Sequence, residues 1–483
     1  MREKEAPGAE PGKEVTREAS NYVHPLHRRG RLLRRGIPSD LNDRQKGLPA
    51  YLLRTQFENA LTEIGAQKDR YVPRPGKDFC RDRKLSFEET MRFICCMYGG
   101  TINHELINYF PSDARPSKTA FIKRRKLISP DAFRDLFDGF NTLTPEWDKK
   151  DYRGYRLLAV DGSGIRVAHD PSSRTYQPGG PYKGLNLINL VAMYDLRNKV
   201  YLDYVTQARQ DQDERAAAQE MFARMDKSRR SIAIMDRGFD GYYNIEYMNR
   251  LENTDYIIRS QCSMKVIRDM PMEEIDRWVE VNVTTGRTKK DMADYREGKV
   301  MLTSGPSRFE SHKGKTVRWY FEDKCTVRFR VVRFQLDTGE YETLVTSLPQ
   351  DEFPIRDLKH LYHMRWGIET SFRDLKMNLG IEKLHTKDET LVLQEIAARM
   401  MMFNFCMRVI LNTCPEVWKG PKWQSQPAMS DCIYLCREWL WDNEPPPDEP
   451  TFRRYKEPIR PGRRDKRNIK FKAFAYFTYR TAA

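Results

Sequence analysis

Between Tyr51 and about Leu143 apolar residues recur three and four positions apart, the period of helices that bury one face. Within that stretch FEETMRFICCMYGG (87–100) has Ser86 in front as a cap and Gly99 behind as a stop. PSKTAFIKRRKLI (116–128) opens on Pro116 and Ser117 and then carries Lys118, Lys123, Arg124, Arg125 and Lys126. Two readings stay open for it: a solvated charged helix, or a helix lying along a DNA backbone, with Lys123 and Arg124 as contacts. At Tyr155 the pattern changes to strands. YRLLAVDGSGIRV is an apolar run ending abruptly at Asp161-Gly162. A hairpin follows, LNLINLVAMYD and VYLDYVTQA around a turn at 196–199. An Ala-rich helix at 213–225 leads into SIAIMDRGFDG (231–241), a second apolar run ending at Asp236-Arg237-Gly238. A short helix near Tyr242 to Arg250 and a strand at Tyr256 to Arg259 complete an α/β unit with a mixed sheet. From about Lys265 to Thr346 the text is mostly strand-like, and helices resume at Ile355.

Length then sets the number of units. A chain of 483 residues exceeds one comfortable core, so two or more domains are expected. Hydrophobic residues at 39% suffice for a packed interior, which argues against wholesale disorder. Lys and Arg number 84 against 68 Asp and Glu, a net charge of +16 that calls for a polyanionic partner. Double-stranded DNA is the first candidate and an anionic membrane surface the rival. The rival weakens because the most apolar stretch, Leu391 to Leu411, holds Gln394, Glu395, Arg399, Asn404 and Arg408, as a buried helix does and a membrane span does not. The N-terminal text lacks the apolar run of a signal peptide. The nine cysteines show neither a disulfide framework nor a CxxC pair. Together these point to a cytoplasmic, nucleoid-associated protein. Cys432 and Cys436, four apart without a His nearby, read as buried helical thiols rather than half a zinc site. Residues 1–48 form a basic arm containing HRRGRLLRRG. From Thr451 onward eleven Lys or Arg stand against two acids, with Phe and Tyr interleaved. That composition suits a grip on nucleic acid or a segment docked on the body.

The candidate chemistry concentrates in LYHMRWGIETSFRDLKMNLG (361–380). At about 100° per residue, Tyr362, Arg365, Glu369, Arg373 and Lys376 gather along one ridge, and Met364, Ile368, Phe372, Leu375 and Leu379 along the adjoining apolar face. Ordinary i,i+4 ion pairing on a solvated face accounts for such a ridge on its own. The two Asp-Gly strand ends change the balance, because α/β sheets place their sites at strand ends and Gly lets a phosphodiester approach. Two Asp residues and a Glu flanked by cations make a hard-oxygen set suited to magnesium or manganese.

On these residues the sequence resembles the DDE transposases of the insertion-sequence-four family. The family's signature helix matches at Tyr362, Arg365, Glu369 and Lys376 without a gap, with Trp366, Ile368, Phe372 and Leu375 also in place. The Asp motifs match as Leu157 to Ser163 and Ile234 to Asp240. The resemblance implies a ribonuclease-H-like mixed-sheet core with Asp161, Asp236 and Glu369 as a metal-binding triad for two Mg2+ or Mn2+ ions. It implies Tyr362, Arg365 and Lys376, with Arg237 and Arg373, as DNA contacts. It also implies an enzyme that binds the terminal repeats of a mobile element and cleaves and joins strands; the need to bring two element ends together predicts a homodimer. A hairpin route would need an aromatic rest for a flipped base, for which Trp278 and Trp319 are candidates beside their plainer reading as strand packing. The expected partition is a basic arm at 1–48, a helical DNA-binding domain at 49–150, and a core in two parts at 151–264 and 346–412. A β-rich insertion fills 265–345, and a basic, aromatic segment closes the chain at 413–483. The rivals are a ribonuclease-H-like nuclease that cuts without joining and an inert DNA-binding regulator.

Overall fold

The computed structural model describes residues 48–81, 84–142, 150–179, 184–303, 324–442 and 446–460. Residues 1–47 of the basic arm, Trp319 and residues 461–483 of the basic, aromatic C-terminal segment lie outside the described residues. Helices come first: α1 (Leu48–Ala66), α2 (Phe87–Cys96), α3 (Ile102–Tyr109), α4 (Lys118–Arg125) and α5 (Pro130–Thr142). Then come β1 (Arg156–Arg166), β2 (Tyr176–Gln177), β3 (Leu185–Asp195), β4 (Val200–Ala208) and α6 (Glu214–Arg224). They are followed by β5 (Ser231–Met235), α7 (Tyr242–Asn249), β6 (Thr254–Arg259) and the single turn α8 (Lys265–Arg268). β7 (Ile275–Thr284), α9 (Lys289–Arg296), β8 (Met301–Leu302), β9 (Lys324–Gln335) and β10 (Tyr341–Thr346) continue the chain. The last elements are α10 (Ile355–Met364), α11 (Trp366–Met377), α12 (Glu389–Thr413), β11 (Ser425–Pro427), α13 (Met429–Asp442), α14 (Glu449–Arg454) and β12 (Lys456–Pro458).

Ten strands form one mixed sheet in the order β2-β3-β1-β5-β6-β10-β9-β7-β8, with β4 also on β3. β1, β3 and β4 run as an antiparallel meander, while β1, β5 and β6 are parallel, as the intervening helices α6 and α7 allow. The strands of 275–346 extend the same sheet beyond β6. Alternation along each strand sorts side chains between two cores. In β1, Leu157 and Ala159 enter the larger core with the N-terminal helices and α10 to α13, whereas Leu158 and Val160 enter the smaller one with α6 and α7. Ile232 and Ile234 of β5 follow the first pair, Ala233 and Met235 the second.

The larger core is organised around α12, which is apolar on every side and is surrounded by α1, α2, α5 and α13. Among the described residues no helix is long and apolar enough to cross a membrane. Of the polar residues that interrupt α12, Gln394, Glu395, Arg399 and Asn404 each meet a backbone group or a charge. Arg399 donates to the carbonyls of Cys95 and Tyr98 at the end of α2, where helix carbonyls lack partners. Asn404 accepts from the Tyr201 N–H at 2.8 Å and donates to the Tyr201 carbonyl at 2.7 Å, which satisfies outward backbone groups of β4 in the interior. Asn404→Leu strips both and is expected to lower stability by about 2–4 kcal/mol, measured by denaturant unfolding.

The charged helix α4 departs from both sequence readings at Arg125. That side chain is buried, ion-paired to Glu395 of α12 at 2.8 Å, and bonded to the Gln394 side chain and the Leu391 carbonyl. Arg124 lies over the Phe79 ring at 3.9 Å and donates to the Leu85 carbonyl, so this cation is folded against the body; Lys123 is exposed. The helix presents a mixed face because α12 needs a cation beneath it.

Candidate active site

The pleat fixes where the acids point. β1 and β5 pair in parallel up to Val160 and Met235, so Asp161 and Asp236 are the next residues on adjacent strands. Backbones in that arrangement lie about 4.8 Å apart. Asp161 shares the parity of Leu157 and Ala159, and Asp236 that of Ile232 and Ile234, so both face the side on which α11 packs. Asp236 is held extended (φ −80°, ψ −178°) and accepts from the Gly238 N–H at 2.8 Å, capping a turn of 3-10 helix at Arg237–Phe239. β1 does not stop at Asp161, as the apolar run suggested. It continues to Arg166, paired with β3, and what ends at Val160 is its pairing with β5. The apolar text ends because one neighbour is lost, not because the strand is.

α11 brings the third acid. The predicted single helix over 361–380 is divided at Arg365, where hydrogen bonds from the Arg365 N–H to Tyr362 O and from the Ile368 N–H to Arg365 O tighten the turn. Arg365 is only 6% exposed. Its guanidinium bridges two carboxylates, at 3.2 Å from Asp161 Oδ2 and 2.7 Å from Glu369 Oε1. Lys376 further along α11 donates to the Gly164 carbonyl at 2.8 Å and lies 3.6 Å from Glu382. Two cations therefore clamp α11 onto β1, one on each side of the Gly162-Ser163 pair.

The electrostatics follow. Burial raises the Asp161 carboxyl; the Gly162 N–H and Arg365 lower it, while the charges of Asp236 and Glu214 raise it, and the result is about 6. A carboxylate in that state is short of positive charge. Among the described residues no three His, Cys, Asp or Glu side chains lie close enough to hold a metal ion as they stand. The donor set itself suits a hard divalent ion: carboxylate oxygens alone, two of them already facing one cation, Arg365.

The remaining sequence candidates fall in distinct places. Tyr362 is buried beneath Arg365 (5.8 Å from the guanidinium carbon to the ring centre) rather than standing on an open ridge. Trp366 next to it is 54% exposed. Arg237 is exposed beside Asp236. Arg373 is exposed and lines a cavity of about 520 Å³ between α11, α12, α13 and the β11–β12 ribbon. Trp278 is half-exposed on β7 beneath Arg328, and Trp319 is outside the described residues. Asp240, at the end of the second Asp motif, accepts from the Ser260 hydroxyl and the Gln261 N–H, both at 2.9 Å. Asp203 sits within β4 and pairs with Arg134 and Arg224.

Gly162, expected to leave room for a phosphodiester, is already occupied on its open side. A Cβ built there would fall 2.3 Å from Glu214 Oε1. Glu214, at the start of α6, has no motif around it. Its only sequence signal is an acid in the first helical turn, which is common for other reasons.

Two adjacent strand-borne Asp residues and a helix-borne Glu tied to one of them by an arginine define a carboxylate site on a mixed sheet. The Transposase DDE domain family matches residues 152–405, more than half of the chain, and the chain belongs to that family. Over 73 residues it is 34% identical to the transposase InsL of insertion sequence element IS186A from Escherichia coli K12, spanning 15% of this chain and 20% of that protein. The same identity and spans hold for the transposase of IS421 from Escherichia coli. The chain thus spans about a fifth of the length of the curated relatives it matches. The structure is also similar to that of the piggyBac transposase synaptic complex with hairpin DNA, at 10% identity, a TM-score of 0.44, and 82% and 80% coverage of the two chains.

Proposed function

We propose that this protein is a DNA transposase of the insertion-sequence-four type, which binds the ends of its element and catalyses divalent-metal-dependent strand cleavage and transfer. The observation that carries the reading is the placement of Asp161 and Asp236 on adjacent parallel strands, with Glu369 joined to Asp161 through Arg365. The strand order β4-β3-β1-β5-β6, antiparallel then parallel, supports a ribonuclease-H-like core. Asp161, Asp236 and Glu369 are the residues that would hold Mg2+ or Mn2+. Bound there, two such ions supply activation of water or a 3′-hydroxyl and stabilisation of the leaving oxygen.

The chain's own residues prepare that site. Arg365 keeps Asp161 and Glu369 facing each other and offsets their repulsion. Lys376 fixes the far end of α11 to the β1 backbone, so that Glu369 keeps its place relative to the strand. Exposed Arg237 and Arg373, with Lys123 on α4, are positioned to meet phosphates, and Tyr362 supports Arg365 from beneath. The assignment of Arg124 to DNA is the weakest of these, since its guanidinium already has the Phe79 ring and the Leu85 carbonyl. Pairing of two element ends calls for a homodimer in the DNA complex, testable by sedimentation.

The test uses two labelled terminal-repeat duplexes, one uncut to read cleavage and one with a pre-cut 3′-hydroxyl end to read joining to a target plasmid. Joined products in Mg2+, and none in chelator, are expected. Cleavage without joined products would establish the nuclease instead, and retention of the duplex with neither product would establish the regulator.

A further inference from the structure

We propose that Glu214 is a fourth acidic side chain of the carboxylate site, reaching the bound cation from the α6 side of β1; this rests on the site reading above. Alternation along β1 sends Asp161 toward α11 and Gly162 toward α6. With no side chain at 162, the sheet has a gap one residue from the catalytic Asp. The Glu214 carboxylate fills it, for a Cβ at that position would lie 2.3 Å from Oε1 and 2.7 Å from Cδ. Space is thus kept at Gly162 for a carboxylate.

An acid in the first turn of a helix ordinarily extends into solvent and interacts with the helix dipole. Glu214 instead turns back onto a strand that already carries Asp161, with Asp236 alongside. α6 holds it there. Asp213 caps the helix by accepting from the Ala216 N–H, and the Gln212 amide donates to Glu214 Oε1 at 3.1 Å. Among the described residues no Lys or Arg pairs with Glu214. Its neighbour Arg215 is engaged with the carbonyls of Gly238 and Asp240. Gathering like charges around one strand residue is unfavourable until a cation joins them. Arg365 supplies a single positive charge, and from the α11 side. A divalent ion at Asp161 is the species that would make the approach of Glu214 favourable.

The test reads Mn2+ binding by the full-length protein without DNA or turnover, from the electron paramagnetic resonance signal of unbound Mn2+. Asp161→Asn is expected to weaken binding strongly. Glu214→Gln, which keeps shape and hydrogen bonding, is expected to weaken it about tenfold, the scale on which groups around a metal site act. Gly162→Ala supplies an independent variant: all four acids remain, but the new methyl displaces the Glu214 carboxylate, and a weakening in the same direction is expected. Thermal unfolding of each variant verifies its fold. If Asp161→Asn weakens binding while Glu214→Gln and Gly162→Ala leave it unchanged, the Glu214 inference is overturned and the three-acid site stands. If Asp161→Asn also binds as wild type does, the site reading itself falls.

Discussion

Exchange of Asp236 for Asn, or of Glu369 for Gln, is expected to cut cleavage of a terminal-repeat substrate on the order of 10³-fold or more, with thermal unfolding close to wild type. A divalent ion and the acids that hold it supply several kcal/mol of transition-state stabilisation, and each 1.36 kcal/mol is a factor of ten. The cost in stability is small because both side chains make little else. Asp236 accepts one hydrogen bond, from the Gly238 N–H, which Asn can also accept. Among the described residues Glu369 is paired through Arg365 alone, and Arg365 keeps Asp161 when Glu369 is neutralised. Cleavage at the wild-type rate by either variant, in a gel assay with folded protein, would remove the proposed mechanism. Asp161→Asn is a less clean probe, since Asp161 is more deeply embedded and its neutral form relieves a repulsion that the fold now carries.

The second large effect lies away from the site. Glu395→Gln is expected to destabilise the protein by about 3–5 kcal/mol, the usual cost of breaking a buried ion pair by removing one partner. Glu395 is 1% exposed and meets Arg125 at 2.8 Å and the His385 ring at 3.0 Å, with Arg399 nearby. Burial alone would raise its carboxyl, but Arg125, His385 and Arg399 overcome that and hold it at about 2, down from 4.5. A depressed folded value means stability that is complete above 4.5 and is lost as pH falls toward 2. His385 behaves oppositely. Burial lowers it, but the charge of Glu395, the nearby Glu105 carboxylate and the bond to Glu395 more than offset that and raise it, and its share is complete below 6.5 and lost as pH rises through the elevated value. Denaturant unfolding across pH should therefore show a steep acid limb in wild type that flattens in Glu395→Gln. Equal limbs in the two proteins would refute the assignment.

Much of the sheet around the candidate site was legible because its elements obey one period each. The hairpin of β3 and β4, the Ala-rich α6 and the cap of α2 at Ser86 stand where apolar spacing and capping residues place them. The acids at 161 and 236 were marked by the abrupt end of an apolar run, a local signal. Features that depend on a distant partner left no such mark. Arg125 looks like one more cation in KRRK until α12 supplies Glu395 beneath it. Tyr362 and Arg365 plot on an open ridge, yet both are buried, Arg365 against Asp161 of β1 and Tyr362 against Arg365. Glu214 is one of several acids at helix starts, and only the pairing of β1 with its neighbours brings it to Gly162. Periodicity says which way a residue points within its own element; it is silent on what comes to meet it.

The two-core alternation of β1 has a consequence for how this region tolerates change. Insertion or deletion of a single residue between Arg156 and Val160 would exchange the contents of both faces at once, turning Asp161 toward α6 and a neighbour toward α11. Replacing one side chain there costs contacts; altering the segment's length by one inverts the strand, so variation in length belongs to the loops between elements rather than to this run.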